Sequence, residues 1–93
     1  MAKTLRSPQR KLEYLSRVFT LGDITSESAC EVIGLIYEVN KEDKNKAEEN
    51  RDPIQLIINS SGGSVYDGIG IIDAIEQSIT PIHIYVQIGR AHV

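Results

Sequence analysis

Apolar and polar residues change their period several times along the chain, and each change marks the edge of an element. Residues 17–21, RVFTL, form a short β-prone run that ends at Gly22 and Asp23, both poor strand residues, so a strand is expected to stop there. From Ser26 the apolar positions Ala29, Val32, Ile33, Ile36 and Val39 recur at spacings of three and four, the stripe of an amphipathic helix. Its N-cap is expected from Ser28-x-x-Glu31 or from the neighbouring Thr25 and Ser26. Residues 41–52, KEDKNKAEENRD, hold nine charged side chains of nearly cancelling sign. So little apolar surface predicts a frayed helix end and a solvated connection.

Pro53 ends any helix and opens IQLII, residues 54–58, a nearly continuous apolar run that predicts a central strand covered on both faces of a parallel sheet. Further on, Val65, Ile69, Ile72, Ile75 and Ile79 mark one helical face, widened by Ile71 and Ala74, and predict a largely buried helix. Pro81 precedes IHIYVQ, where Ile82, Ile84 and Val86 alternate with His83, Tyr85 and Gln87 as in a half-exposed strand. The order is β-α-β-α-β. Helices of this length between strands favour parallel pairing through right-handed crossovers, so the fold class is α/β with a parallel sheet. No internal repeat is evident beyond this alternation.

Composition narrows the reading. A chain of 93 residues makes at most one domain, and one this short buries only roughly 60 to 65% of its unfolded surface. A net charge of −3 gives no electrostatic case for nucleic acid as a partner. No apolar stretch approaches the ~20 residues that cross a bilayer, so no membrane partner is expected. The amino end is locally basic: Lys3, Arg6, Arg10, Lys11 and Arg17 face Glu13 alone. With no apolar centre of the kind a secretory signal needs, residues 1–16 read as a basic, solvated, frayed arm. Cys30 has no disulfide partner in the chain, which predicts a reducing, cytoplasmic setting. It sits beside the first helical stripe and reads as a small core hydrophobe rather than a reactive thiol.

The stretch between the second strand and the second helix is NSSGGS, residues 59–64. It is the turn at the carboxyl end of a buried strand, the edge where open α/β sheets bind ligands. Gly62 and Gly63 can take positive φ and have no Cβ to hold a substrate off the backbone, while the helix start points amides outward. Ser64-x-x-Asp67 is a capping pair that would fix where the helix begins. The expectation is a cradle for negative charge. A phosphate would need the P-loop lysine, which does not follow the glycines, and Gly68-x-Gly70-x-x-Asp73 ends in Asp inside the helix. Two readings remain: a tight turn without a ligand, and an oxyanion hole for acyl transfer.

The stretch PIQLIINSSGGSVYDGIGIIDAIEQS resembles the segment of Clp-type serine proteases in which a strand runs into Asn-Ser-Pro-Gly-Gly-Ser and then a helix. Ile58-Asn59-Ser60, Gly62-Gly63-Ser64-Val65, Gly68 and Ile71-Ile72-Asp73 carry the likeness, and VFTLGDITSESA is similar to the family's Leu-x-Gly-x-Ile strand end. The likeness covers about residues 18–87. Ser61 stands where that pattern has Pro, which is expected to loosen the turn. The resemblance implies the Clp/crotonase superfold, with residues 17–87 as a partial domain of it. It implies a Ser-His-Asp endopeptidase that hydrolyses unfolded polypeptide inside a homo-oligomeric ring fed by an ATP-driven unfoldase, with no cofactor or metal. It assigns the Gly63 amide to the oxyanion hole, with Gly62 supporting the turn.

The family's nucleophile follows the next strand in Gly-x-Ala-x-Ser. Here the chain reads IGRAHV; Gly89 and Ala91 mimic two of the positions, but His92 or Val93 occupies the serine place. Neither can supply the hydroxyl an acyl-enzyme requires. The family's later His and Asp are missing as well. His83 reads as an exposed strand residue, and Asp23, Asp67 and Asp73 as turn, cap and helix-surface residues. Ile-Gly-Arg-Ala-His-Val is also the translation of a common sequencing adapter. Residues 88–93 are therefore read as a non-native tail, with the gene continuing after Gln87. The chain as it stands is expected to be an inactive Clp-like subunit. A crotonase-like acyl-CoA enzyme and a non-catalytic ring subunit are the alternatives.

Overall fold

The computed structural model describes residues 8–87. Lys3, Arg6 and the expected non-native tail at 88–93 lie outside that range. The elements run α1 (Pro8–Ser16), β1 (Val18–Leu21), α2 (Ser26–Asp43), a 3-10 turn (Glu48–Asn50), β2 (Ile54–Ile58), α3 (Val65–Gln77) and β3 (Ile82–Val86). The three strands form one parallel sheet in the order β1-β2-β3. The class is α/β, and IQLII is the central strand.

Register explains which residues meet. Phe19 pairs with Leu56 and Leu56 with Ile84, while Thr20 pairs with Ile57 and Ile57 with Tyr85. Alternation along each strand then sends Phe19, Leu21, Ile54 and Leu56 to one face. There they build the core with Ala29, Val32, Leu35, Ile36 and Val39 of α2 and Ile71 and Ala74 of α3. The opposite face carries Thr20, Gln55, His83 and Tyr85, all exposed, and Ile57, half-buried. The continuous apolar run of β2 is thus covered on one face only, contrary to the two-sided burial expected of it. Its even positions are explained by the core; Ile57 faces a surface that, among the described residues, α1 begins to cover at the β1 end.

Three further expectations are corrected. The expected frayed arm is a helix from Pro8 onward, held by the partners of Arg10 and Glu13. Arg10 pairs with Glu13 and Glu31 and donates to the Thr20 carbonyl, and Thr20 Oγ1 donates to Glu13 Oε2 at 2.6 Å. Burial works to raise the Glu13 carboxyl, but hydrogen bonds from Thr20, Gln9 and Arg10 outweigh it and hold it below its ordinary value. Cys30 is exposed on α2 instead of joining the core, because Ala29, Val32 and Ile36 claim the inner stripe. The α3 face is rotated from the one read off the sequence. Ile71 and Ala74 are buried, whereas Val65 is 72% exposed, Ile69 57% and Ile72 56%. With isoleucine or valine at so many positions, periodicity could not say which stripe faced in.

The charged connection is also built differently from a solvated linker. Asp43 is fully buried, and Arg17 grips both of its oxygens at 2.8 Å. Thr80 Oγ1 donates to Asp43 Oδ2 at 2.7 Å and Lys46 Nζ lies 3.3 Å from Oδ1. Arg51 Nε donates to the carbonyls of Asp43 and Lys46. Arg17 itself ends α1 in the left-handed conformation, φ 61°, with its amide donating to Glu13 O at 2.7 Å. That turn aims its guanidinium back across the end of α2.

Candidate functional site

β2 delivers the chain to the carboxyl edge of the sheet, and the turn into α3 is fixed from three sides. Gly62 and Gly63 have φ of 137° and 143°, a region that residues with a Cβ rarely adopt. The positive φ expected of both is present. At Gly63 a second constraint applies: a Cβ would come within 2.3 Å of the Ile24 carbonyl oxygen and 2.7 Å of its nitrogen. Ile24 and Gly63 form an isolated parallel bridge, in which the Ile24 amide donates to Gly62 O at 3.1 Å and the Ser64 amide to Ile24 O at 2.9 Å. The segment after β1 therefore runs as an extra rung beside the turn.

Local side chains set the rest. Ser60 Oγ accepts from the Gly62 amide at 3.0 Å and donates to the Gly62 carbonyl at 2.8 Å. Ser64 is the N-cap of α3, its Oγ accepting from the Asp67 amide at 3.2 Å. The reciprocal half of the expected capping pair is not made, since the Ser64 amide is taken by Ile24. Asp67 Oδ2 instead accepts from Ser26 Oγ at 3.2 Å, tying the starts of α2 and α3 together. Thr25 is the N-cap of α2 and forms a capping box with Ser28, so the Ser28-x-x-Glu31 alternative is not the cap.

The effect on the Gly63 amide follows. Its neighbours are engaged in hydrogen bonds, and among the described residues the amide itself has no acceptor. It lies at an exposed position one residue before the N-cap of α3, where the helix start adds partial positive charge. A free amide so placed can donate to an anionic oxygen without first breaking an internal bond.

The other sequence candidates do not converge on it as a triad. His83 is exposed on β3, and Asp73 Oδ2 accepts from Gln77 on the surface of α3. Asp23 does reach the turn, accepting from the Ser61 amide at 3.2 Å and the Ser61 hydroxyl at 3.1 Å through Oδ1. Ser61 thus anchors the turn instead of loosening it. Sequence reasoning missed this contact because it joins residues 38 positions apart. Among the described residues no cluster of three or more metal-ligating side chains occurs, and no helix is long and apolar enough to cross a membrane.

Comparison with known proteins agrees with the geometry. The Clp protease family profile matches residues 3–93. The chain is 38% identical over 68 residues to ATP-dependent Clp protease proteolytic subunit 1 of Prochlorococcus marinus (strain MIT 9312), covering 72% of this chain and 32% of that protein. It is 41% identical over 76 residues to the subunit of the same name in Synechococcus sp. (strain CC9902), covering 81% and 35%. A third relative, the ATP-dependent Clp protease proteolytic subunit of Physcomitrium patens, is 35% identical over 71 residues, covering 75% and 33%. The chain spans about a third of the length of these relatives. With a parallel sheet running into a double-glycine turn and a profile match along nearly its whole length, this chain belongs to the Clp protease family.

Proposed function

We propose that this chain is the oxyanion-turn portion of a serine endopeptidase subunit, in which the Gly63 amide holds the oxyanion of the tetrahedral intermediate. The free amide of Gly63, a position where the Ile24 backbone leaves no room for a Cβ, is the observation that carries this reading. As substrate carbonyl carbon becomes tetrahedral, its oxygen gains charge that an oriented amide stabilises more than it stabilises the ground state. Gly62 supports the donor by turning the chain away from β2. The complete subunit hydrolyses unfolded polypeptide in the chamber of a homo-oligomeric ring supplied by an ATP-driven unfoldase, in the cytoplasm.

On the Gly-x-Ala-x-Ser pattern the serine place in these 93 residues is held by His92 or Val93, and losing the nucleophile alone removes most of the rate. The purified 93-residue chain is therefore expected to show no turnover of a fluorogenic peptide. Turnover abolished by a serine-directed covalent inhibitor would overturn that statement. Sequencing the gene through codon 87 and onward tests the parent reading, with Gly-x-Ala-x-Ser expected, then His and Asp. A gene with no serine there makes the product a non-catalytic ring subunit.

A further inference from the structure

We propose that Asp23 is a positioning residue for the Gly63 amide, an inference that rests on the peptidase reading above. Two successive glycines leave the turn's backbone with more freedom than any other pair of residues would. The Gly63 N–H shares one planar peptide unit with the Gly62 carbonyl, which accepts from the Ile24 amide and Ser60 Oγ, so its direction depends on where Ile24 and Ser60, the neighbours of Asp23 and Ser61, are held. The exit of the turn is held through Ile24 to Gly62 O and Ser64 to Ile24 O, with Ser60 Oγ adding a second donor to Gly62 O. The entry is held differently. Asn59 donates to Leu21 O at 2.9 Å, and Ser60 bonds only within the turn. Between these, the one side chain reaching the entry from outside the turn, among the described residues, is Asp23, which takes both donors of Ser61 on Oδ1.

Asp23 is in turn fixed by α2. Ser28 Oγ donates to the Asp23 carbonyl at 2.9 Å and accepts from the Thr25 amide at 2.9 Å, so the capping box that starts α2 also locks the residue holding Ser61. A continuous chain of contacts runs from the cap of α2 through Asp23 and Ser61 to the glycines. An oxyanion donor works only when it sits about 2.7–3.1 Å from the developing charge, so a loosened entry costs rate rather than binding.

The test uses the complete, assembled gene product and steady-state hydrolysis of a fluorogenic peptide. Asp23→Ala is expected to lower kcat about three- to tenfold, the worth of one or two exposed hydrogen bonds, with KM unchanged. Asp23→Asn keeps an accepting oxygen and recovers most of the rate. Adding Ser61→Pro to Asp23→Ala also restores kcat, because the ring fixes φ and leaves no amide needing an acceptor. Should Asp23→Ala fail to assemble, Ser61→Gly, which removes the hydroxyl donor to Asp23 but keeps the amide, gives part of the same kcat loss. A wild-type kcat in Asp23→Ala or Ser61→Gly, or a loss that neither Asn nor the added proline relieves, overturns the proposal while the peptidase reading stands. A wild-type product without turnover removes both.

Discussion

Gly62 and Gly63 share nearly the same φ, 137° and 143°, but not the same surroundings. Around Gly62 a Cβ would meet nothing within 4 Å, so its requirement is conformational alone. At Gly63 a Cβ would overlap the Ile24 carbonyl, nitrogen and carbon together, and backbone cannot step aside as a side-chain tip can. Gly62→Ala should therefore cost about 1–3 kcal/mol, the strain of a glycine-only conformation. Gly63→Ala adds overpacking of about 1–3 kcal/mol and should break the Ile24 bridge. Thermal melts of the complete product should rank wild type above Gly62→Ala and Gly62→Ala above Gly63→Ala; equal melting of the two variants would remove the role given to Ile24. The glycines and their positive φ were legible in NSSGGS. Their difference was not, because it depends on a strand end nearly 40 residues earlier.

At the scale of elements, the buried Asp43 joins the end of α2 to the residue before β1 and to Thr80 before β3. Asp43→Ala takes from Arg17 the buried carboxylate it grips with both nitrogens, leaving Glu42 at 3.8 Å, and should destabilise the domain by about 3–5 kcal/mol, as breaking one side of a buried pair does. The pH dependence has a definite sign. Hydrogen bonds from Arg17 hold the Asp43 carboxyl well below its ordinary value of 3.8, against the opposing effect of burial. The folded state thus binds this proton less tightly than the unfolded state. Its contribution is fully present above the ordinary value and is lost as pH falls below it. Denaturant midpoints of wild type should drop on acidification from pH 5 to pH 3 more steeply than those of Asp43→Asn, and parallel slopes would contradict the assignment. None of this was legible in KEDKNKAEENRD. A run with nine charges reads as solvent-facing, and which carboxylate turns inward depends on an arginine 26 positions away.

For the whole molecule, strand and helix order was legible because the apolar period switches sharply at Gly22, Pro53, Gly62 and Pro81. The share of each face that is covered was not, since covering needs partners that a periodic pattern does not name. The uncovered surface is sizeable: Tyr66 is 88% exposed, and Val65, Ile69 and Ile72 of α3 are exposed as well, as are Ile84 and Val86 at the end of the edge strand β3. Ile84 and Val86 share the inner face with Leu56 and Ile58 by register, yet among the described residues no helix buries them. Edge strands with unpaired backbone groups invite pairing, and contiguous apolar surface beyond a few hundred Å² drives association. The purified 93-residue chain should therefore bind a hydrophobic dye and elute above monomer mass, increasingly so with concentration. Replacing Val65, Ile69 and Ile72 together by lysine should shift elution toward the monomer while keeping the helical circular dichroism signal, because none of the three contributes to the core. A wild-type chain that stays monomeric and unfolds in one cooperative step would show that the exposed α3 face and the β3 edge are tolerated in water.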